Sequence, residues 1–310
     1  MSFTKEVKTE ICKLKCSKLE NIAELSAFFR SNVKYTENHI ELITENAKVA
    51  RRMYTHIKEL YGVESIVEEK PNAVFTKSMM YIIKIKDQIQ TILQDLSVID
   101  DNNQLLEMPN EYIVGSTEES KAYIRGAFLA KGSINDPKTS IYYHLEFVFD
   151  HKKEAVFVQR LLNDFDLNSK ILLRESKCMV YIKDSEEISD LLKVISAMNS
   201  VLYYENVRAY RDKKNATNRL NNCEQANVDK IIQTAANQVE CIEHIQRLVG
   251  LEVLDDKIRQ AAEYRLKYPE VSLLELSEII SLETNTRITK SGLNHRLRKL
   301  KEIAKKLKLH

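Results

Sequence analysis

The sequence is poor in glycine and proline, with 6 Gly and 4 Pro among 310 residues. This scarcity argues against long disordered or loop-rich regions, and the composition favours helix. No run approaches the roughly 18–20 apolar residues that span a bilayer, and the first residues lack the apolar core of a signal peptide. We therefore expect a cytoplasmic protein with no membrane partner and enough residues for two ordinary domains.

Cysteine is also scarce, and its pattern argues against a disulfide framework. The five cysteines form an odd, scattered set, as expected of reduced thiols in the cytosol. Cys12 and Cys16 are spaced closely enough to join a metal site, but no second close Cys or His pair accompanies them. We expect them to be thiols on one face of a helix, and the sequence predicts no metal and no cofactor.

The net charge of +2 is distributed unevenly along the chain. The segment 285–310 carries nine Lys or Arg residues, Lys308 among them, and a single acid, Glu302, so its net charge is +8. The rest of the chain therefore sums to about −6. A concentrated basic segment predicts a polyanionic partner, although many charge runs are only solvated surfaces.

Two blocks of the first two hundred residues, at about 20–100 and 121–200, share one order of elements. In the first block we predict a helix, a strand, a long helix, a strand and a short helix at Glu24–Asn32, His39–Thr44, Lys48–Leu60, Met79–Lys86 and Gln88–Leu96. The second block repeats this order at Tyr123–Ala130, Tyr142–Phe149, Lys153–Phe165, Met179–Ile182 and Glu186–Met198. Strand pairs such as Ser169–Leu173 with Met179–Ile182 indicate hairpins. Each half is thus predicted to be an αββαββα unit of an α+β domain.

Each block begins with a helix rich in small residues. KAYIRGAFLAKGSIND, Lys121–Asp136, has Gly126 and Ala130 four residues apart and then Gly132, and ELSAFFRSN, Glu24–Asn32, has Ala27 at the corresponding place. Small residues at this spacing let two helix backbones come close. Together these segments resemble the paired LAGLIDADG motifs of homing endonucleases, the second more closely than the first.

The resemblance places Asn32 and Lys131 where active nucleases carry metal-binding carboxylates. An amide is a weak ligand for a hard cation, and an ammonium group repels one. The pair of acids that metal-dependent hydrolysis requires is therefore missing, and no catalytic residue is predicted. Asp136 lies nearby beside Pro137, where we expect it to be a turn residue.

The linker VRAYRDKKNATNRLNNCEQANVDK, Val207–Lys230, joins this degenerate repeat to a helical C-terminal region. The combination, and above all RGAFLAKGSINDP and NRLNNCEQAN, resembles the WhiA family of bacterial regulators over essentially the whole chain. The resemblance implies a LAGLIDADG-like domain at 1–203, a linker at 204–225 and a helix-turn-helix domain at 226–310. It also implies transcriptional control, with roles in cell division, chromosome segregation and, in some relatives, sporulation. Such a protein would be associated with the nucleoid.

The C-terminal region carries the signals of a helix-turn-helix at about 272–305. Helices are predicted at Ala226–Val249, ending at Gly250, and at Asp255–Tyr268, before Pro269. Ser272-Leu-Leu-Glu275 forms a capping box for a short helix that ends near Ser281. Thr289 then caps a final helix, whose core face is predicted from the helical spacing of Leu293, Leu297, Leu300, Ala304 and Leu307.

The remaining surface of the final helix is predicted to face double-stranded DNA. Its first two turns hold residues suited to base edges, whereas the later cations suit phosphates. The predicted DNA-binding residues are Thr289, Lys290, Ser291, Asn294, His295, Arg296, Arg298, Lys299, Lys301 and Lys305. Asn294 and Arg296 are the candidates for base contacts, and Lys299, Lys301 and Lys305 for phosphate contacts.

Other functions fit parts of the sequence. The basic helix could be an ordinary solvated surface or a coiled-coil strand, and the chain could be a scaffold that binds RNA or protein partners. A residual homing-type endonuclease with unconventional acids is a further alternative, which Asn32 and Lys131 argue against. The N-terminal domain could be a second DNA-contacting surface or a protein-docking module.

Overall fold

A computed structural model describes residues 2–36, 38–71, 79–174 and 176–307. The chain forms two compact units, an N-terminal unit over Met1–Arg211 and a C-terminal unit over Asp212–His310. Lys308, counted in the basic segment, lies outside the described residues. No helix in the described part of the chain combines the length and the apolar character needed to cross a membrane.

The N-terminal unit consists of helix α1 and two αββαββα repeats, so the predicted α+β duplication is confirmed. Helix α1, Phe3–Ile11, was not predicted, and the expectation that Cys12 and Cys16 share a helix face was wrong, because both lie between α1 and α2. The first repeat contains α2 (Lys18–Asn32), β1 (Val33–Thr36), β2 (His39–Thr44), α3 (Ala47–Tyr61), β3 (Ile66–Pro71), β4 (Met79–Ile85) and α4 (Ile89–Asp95). The second contains α5 (Thr117–Lys131), β5 (Gly132–Ile134), β6 (Leu145–Phe149), α6 (Lys152–Asp164), β7 (Lys170–Leu173), β8 (Cys178–Ile182) and α7 (Ser185–Val194).

Each repeat contributes one antiparallel four-stranded sheet. The strand orders, β1-β2-β4-β3 and β5-β6-β8-β7, are equivalent in the two repeats. Successive side chains point to opposite faces of a strand, so apolar residues at alternate positions bury one face. In β6, Leu145, Phe147 and Phe149 are buried and the residues between them are half-buried. The helices cover the apolar faces, and one continuous core fills the unit.

Several predicted boundaries were wrong, and local capping explains two of them. Helix α2 begins at Lys18 rather than Glu24 because Ser17 and Glu20 form a capping box. The helix predicted to reach Met198 ends at Val194, since Ser196 adopts a left-handed conformation with φ 63° and the Ala197 N–H bonds to the Leu192 carbonyl. Strand β6 begins at Leu145 rather than Tyr142.

Residues 204–225, predicted to be a linker, are helical. They belong to α8, Met198–Val249, so the helix predicted from Ala226 begins 28 residues earlier. No glycine or proline interrupts this stretch, and polar helix formers such as Lys, Arg, Glu and Gln are frequent in it. The helix ends at Gly250, as predicted, and that residue has the left-handed φ of 78° that glycine tolerates.

The C-terminal unit contains the end of α8 followed by α9 (Asp256–Lys267), α10 (Leu273–Thr284) and α11 (Lys290–Leu307). Helix α10 continues to Thr284 rather than ending near Ser281, and Asn285 terminates it with a φ of 53°. A second apolar core joins the four helices. The predicted core residues Leu293, Leu297, Leu300 and Ala304 are buried in it, and Leu307 packs against it.

Candidate functional site

The two motif helices of the N-terminal unit, α2 and α5, pack at very close range. A Cβ atom placed on Gly126 would overlap the carbonyl oxygen of Glu24 and lie 2.9 Å from its carbonyl carbon. The same atom would lie 3.0 Å from the Cβ of Ala27. The predicted role of Gly126 and Ala27 as close-approach residues is therefore confirmed, and it fixes where the two helices cross.

A buried ionic cluster, which the sequence did not reveal, lies at this crossing. The Glu24 side chain is fully buried and accepts hydrogen bonds from Arg52 Nη2 at 2.9 Å and Arg125 Nε at 2.8 Å. His56 Nε2 lies 3.5 Å from Glu24 Oε1. Burial alone raises the pKa of Glu24, but these contacts outweigh it and hold the pKa well below its usual range. The cluster joins α2, α3 and α5.

The two positions that the motif resemblance equates with nuclease acids lie at the ends of the motif helices. Asn32 is the last residue of α2 and Lys131 the last residue of α5. The Lys131 ammonium group pairs with Asp150 Oδ2 at 3.3 Å. Nearby, the Ser31 hydroxyl donates to the buried Glu154 carboxyl group, whose pKa is raised by burial. Asp150 and Glu154 are acids beside the helix ends that the motif comparison did not identify.

These acids do not form a metal-binding constellation within the described residues. In that part of the chain no three His, Cys, Asp or Glu side chains converge closely enough to hold an ion. Asp136 is a turn residue, as predicted, since its Oδ1 accepts the Lys138 N–H at 2.8 Å and the Tyr203 hydroxyl at 3.1 Å. The polar groups around the helix ends are thus the Asn32 amide, the Lys131 ammonium group paired with Asp150, and the Ser31 hydroxyl bonded to Glu154.

In the C-terminal unit, α10 and α11 are joined by a tightly bonded turn. The Ser281 hydroxyl oxygen accepts the Ile288 N–H at 2.9 Å, which closes the turn. Ser272 and Glu275 form the predicted capping box at the start of α10. The Thr289 hydroxyl accepts the Gly292 N–H at 3.1 Å and so caps α11, as predicted. These local bonds present the first turns of α11 at the surface.

Most of the predicted DNA-binding residues share the exposed side of α11. Those exposed are Thr289, Lys290, Ser291, Asn294, His295, Arg298, Lys299, Lys301 and Lys305. Glu302 is the only acid on this helix. The exposed surface of α11 therefore combines amide and hydroxyl groups near its start with a positive charge that extends along its length.

Arg296 differs from the other predicted residues. It is half-buried, and its Nη1 lies 3.4 Å from the Lys257 carbonyl oxygen and 3.2 Å from Gln260 Oε1, both on α9. A base contact by Arg296 would break both hydrogen bonds. The helical period explains this position, because Arg296 flanks the buried stripe next to Gly292 and Ile303 rather than the exposed side.

A cleft separates part of the exposed side of α11 from the end of α8. It has a volume of about 190 Å³, and Asn294, Arg298 and Lys301 line it from α11. Thr234, Asn237 and Gln238 line it from α8. Asn294 therefore lies at the boundary between the open surface and a polar cleft, a placement that the periodicity of α11 alone could not give.

Comparison with known proteins finds matches for both units. Three family models match: the WhiA N-terminal LAGLIDADG-like domain over residues 18–99, the WhiA LAGLIDADG-like domain over 120–214 and the WhiA C-terminal HTH domain over 217–304. Relatives named probable cell division protein WhiA, from Bacillus cytotoxicus and Bacillus subtilis, are 40% and 41% identical over 314 residues. Each alignment covers 99% of this chain and 98% of the relative.

A solved structure supports the fold. The full-length WhiA crystal structure from Thermotoga maritima superposes with a TM-score of 0.59 and is 23% identical, with 99% of each chain covered. A crystal structure of the N-terminal LAGLIDADG domain of WhiA superposes with a TM-score of 0.51 and 21% identity, over 63% of this chain and 90% of that one. Both units of this chain thus have the fold of these structures.

Proposed function

The chain belongs to the WhiA family, and from this membership we propose that it is a DNA-binding transcriptional regulator acting in cell division and chromosome segregation, with no nuclease activity. The exposed, basic side of α11 carries this proposal. In helix-turn-helix proteins the second helix enters the major groove by its N-terminal residues. Lys290, Ser291, Asn294 and His295 occupy the corresponding turns here, and all four are exposed.

The salt dependence of binding tests the phosphate contacts. The full-length double variant Lys299→Gln/Lys301→Gln should bind all duplexes more weakly, because both ammonium groups are exposed on α11. Each lost phosphate contact should reduce the slope of log affinity against log salt by about 0.9. Lys13→Gln/Lys15→Gln is the matched control, since these exposed lysines lie in the N-terminal unit. An unchanged slope in the α11 variant would exclude its lysines from DNA contact.

Genome-wide mapping of bound DNA tests the regulatory part of the proposal. A regulator associated with the nucleoid should occupy a limited set of sites near genes whose transcription changes when the protein is removed. The Asn294→Ala variant should lose these sites while retaining diffuse binding, because base contacts supply preference and phosphate contacts do not. Uniform occupancy by the unaltered protein would argue for a packaging protein instead of a regulator.

We further propose that the N-terminal unit contacts protein partners. On the sheet face opposite the buried Ile40 and Leu42, Lys84 pairs with Glu41 at 3.3 Å and with Glu68 at 2.9 Å. In the second sheet, His144 contacts Glu146 at 3.0 Å. In the first sheet Lys70 also pairs with Glu68, at 3.1 Å, so this cluster carries two charges of each sign and offers no excess of positive charge to a polyanion. Affinity capture should recover partners with a chain carrying the Lys299→Gln/Lys301→Gln change, whose DNA binding is weakened.

A further inference from the structure

A buried arginine without a carboxylate partner lies in the C-terminal unit. Arg265, in the last turn of α9, is 1% exposed. Its Nη1 donates to the carbonyl oxygens of Tyr268 at 3.3 Å and Val271 at 2.8 Å, whereas its buried Nε has no hydrogen-bond partner. None of the ion pairs among the described residues includes it. A buried cation without an opposite charge is costly, and a bound anion would supply the missing charge.

Arg265 lines a cavity of about 520 Å³, which we call the Arg265 pocket. Its lining contains three cations, Lys230, Arg265 and Lys290, and no carboxylate. Gln238 also lines it, and the buried Oε1 of Gln238 has no hydrogen-bond partner. A half-turn of this amide presents its NH₂ group as a donor at the same place.

The start of α10 adds further donors to the Arg265 pocket. The pocket is lined there by Ser272, Leu273 and Leu274. The Ser272 hydroxyl oxygen already accepts a hydrogen bond from the Glu275 N–H. The N–H groups of Leu273 and Leu274, at the first two helical positions, have no acceptor within the helix. Free amides at a helix N-terminus together with a guanidinium group are a recurrent arrangement for binding phosphate oxygens.

We propose that the Arg265 pocket binds a phosphate group, carried by a small phosphorylated molecule of about nucleotide size. The volume falls within the range of small-molecule sites, about 300–1,000 Å³, and exceeds what a phosphate ion alone would fill. Ile231, Ala235 and Val271 supply apolar surface for the rest of the ligand. The DNA backbone is the other source of the same chemistry. This inference goes beyond the proposed DNA binding and does not depend on it.

The position of Lys290 links the pocket to α11. Lys290 is the first residue of α11 and also lines the Arg265 pocket. A bound phosphate would therefore pair with Lys290, which is also one of the cations on the proposed DNA-facing surface. Occupancy should weaken DNA binding by more than the added ionic strength accounts for.

Calorimetric titration of the full chain at constant ionic strength tests the site. The probes are sodium pyrophosphate and adenosine monophosphate, used with the unaltered chain, Lys230→Gln, Arg265→Lys and the control Lys213→Gln, which changes an exposed lysine outside the pocket. We expect one equivalent to bind, and Lys230→Gln, with Lys230 on an exposed part of α8, to weaken binding roughly tenfold. Lys213→Gln should leave binding unchanged.

Duplex titrations with the same variants distinguish the two sources of phosphate. If neither probe binds but Lys230→Gln and Arg265→Lys lower the salt slope for DNA, the pocket holds a backbone phosphate and the small-molecule assignment is wrong. If no probe binds and the DNA slope is unchanged in Lys230→Gln, whose fold is checked by its melting temperature, the proposal is overturned. Loss of DNA binding in the α11 double variant with intact probe binding would separate this site from the DNA interface.

Discussion

The Glu24 carboxylate shows how one residue can hold a helix pair together. It is fully buried, yet the two arginines bonded to it belong to different helices, Arg52 to α3 and Arg125 to α5. A buried carboxylate with two buried guanidinium groups leaves excess positive charge if the acid is neutralised. The cluster is therefore a stability determinant of the N-terminal unit.

Replacement of this acid should be severely destabilising. Glu24→Gln removes the negative charge and leaves Arg52 and Arg125 buried without it, so we expect a loss of about 3–5 kcal/mol in the free energy of unfolding. Urea denaturation followed by circular dichroism measures this loss. Glu118→Gln, which alters an exposed ion pair with Lys121, is the control and should change stability by less than about 1 kcal/mol.

The same substitution should also change the pH dependence of stability. The folded-state pKa of Glu24 lies below its usual value, so its contribution is present above the unfolded-state pKa of about 4.3 and is lost as the pH falls further. The stability difference between the unaltered chain and Glu24→Gln should therefore shrink progressively below about pH 4. A difference that stays constant down to pH 2 would contradict the depressed pKa.

At Asn294 the expected effect concerns specificity. Asn294→Ala should relax sequence preference more than it lowers non-specific affinity, because a bidentate base contact contributes about 1–3 kcal/mol of discrimination. Preferred and scrambled duplexes are titrated at one salt concentration. Leu297→Ala is the contrasting variant, since it truncates a buried residue and should weaken binding to both duplexes together. Equal weakening of both duplexes by Asn294→Ala would show that Asn294 does not read bases and that α11 contacts phosphates only.

These residues also show which features of the site can be predicted from the sequence alone. The exposed surface of α11 follows from helical periodicity, which needs only neighbouring residues. The Glu24 cluster depends on Arg125, which is 101 positions away. No local pattern marks such a contact, and the same holds for Arg265, whose burial depends on how α8, α9 and α10 pack.

At the scale of elements, the α2–α5 pair depends on the absence of a side chain at Gly126. A Cβ there would meet the backbone of Glu24, which cannot rotate away as a flexible side chain can. Repeats, strand order and the small-residue motif were predictable because each half of the chain carries the same signals. The helical linker was not predictable, because residues 212–225 of α8 are all exposed. No apolar face there distinguishes a continuous helix from an irregular connection.

Gly126→Ala should separate these two helices. We expect it to lower the free energy of unfolding by at least about 1–3 kcal/mol, the usual cost of an overpacked site. Gly292→Ala is the matched control, because a Cβ at Gly292 would lie 3.4 Å from Thr289 Oγ1, an ordinary contact. Alanine in that helical position should leave stability unchanged or raise it by up to about 1 kcal/mol. Comparable destabilisation by both substitutions would show that close packing is not the cause.

Over the whole molecule, charge and fold are divided between the two units. The N-terminal unit keeps the architecture of the duplicated motif, but its sheet faces carry ion-paired glutamates, while the cations concentrate on α11. This division is the reason that we propose DNA attachment through the C-terminal unit. It also predicts that the N-terminal unit retains its fold without the chemistry that accompanies that fold in nucleases.

Catalysis is the sharpest test of this division. Phosphodiester hydrolysis by the metal-dependent route needs carboxylates that place cations at the scissile phosphate. Here the corresponding positions hold Asn32 and Lys131, and Asp150 is engaged by the Lys131 ammonium group. Full-length protein incubated with magnesium or manganese should therefore leave supercoiled and linear duplex DNA uncut over long times. The contrary result would be reproducible cleavage that co-purifies with the chain and disappears in Asp136→Asn, Asp150→Asn or Glu154→Gln. Cleavage that persists in all three variants would point to a contaminating nuclease, because Asp150 and Glu154 contact the C-terminal ends of the motif helices and Asp136 lies in the turn that follows.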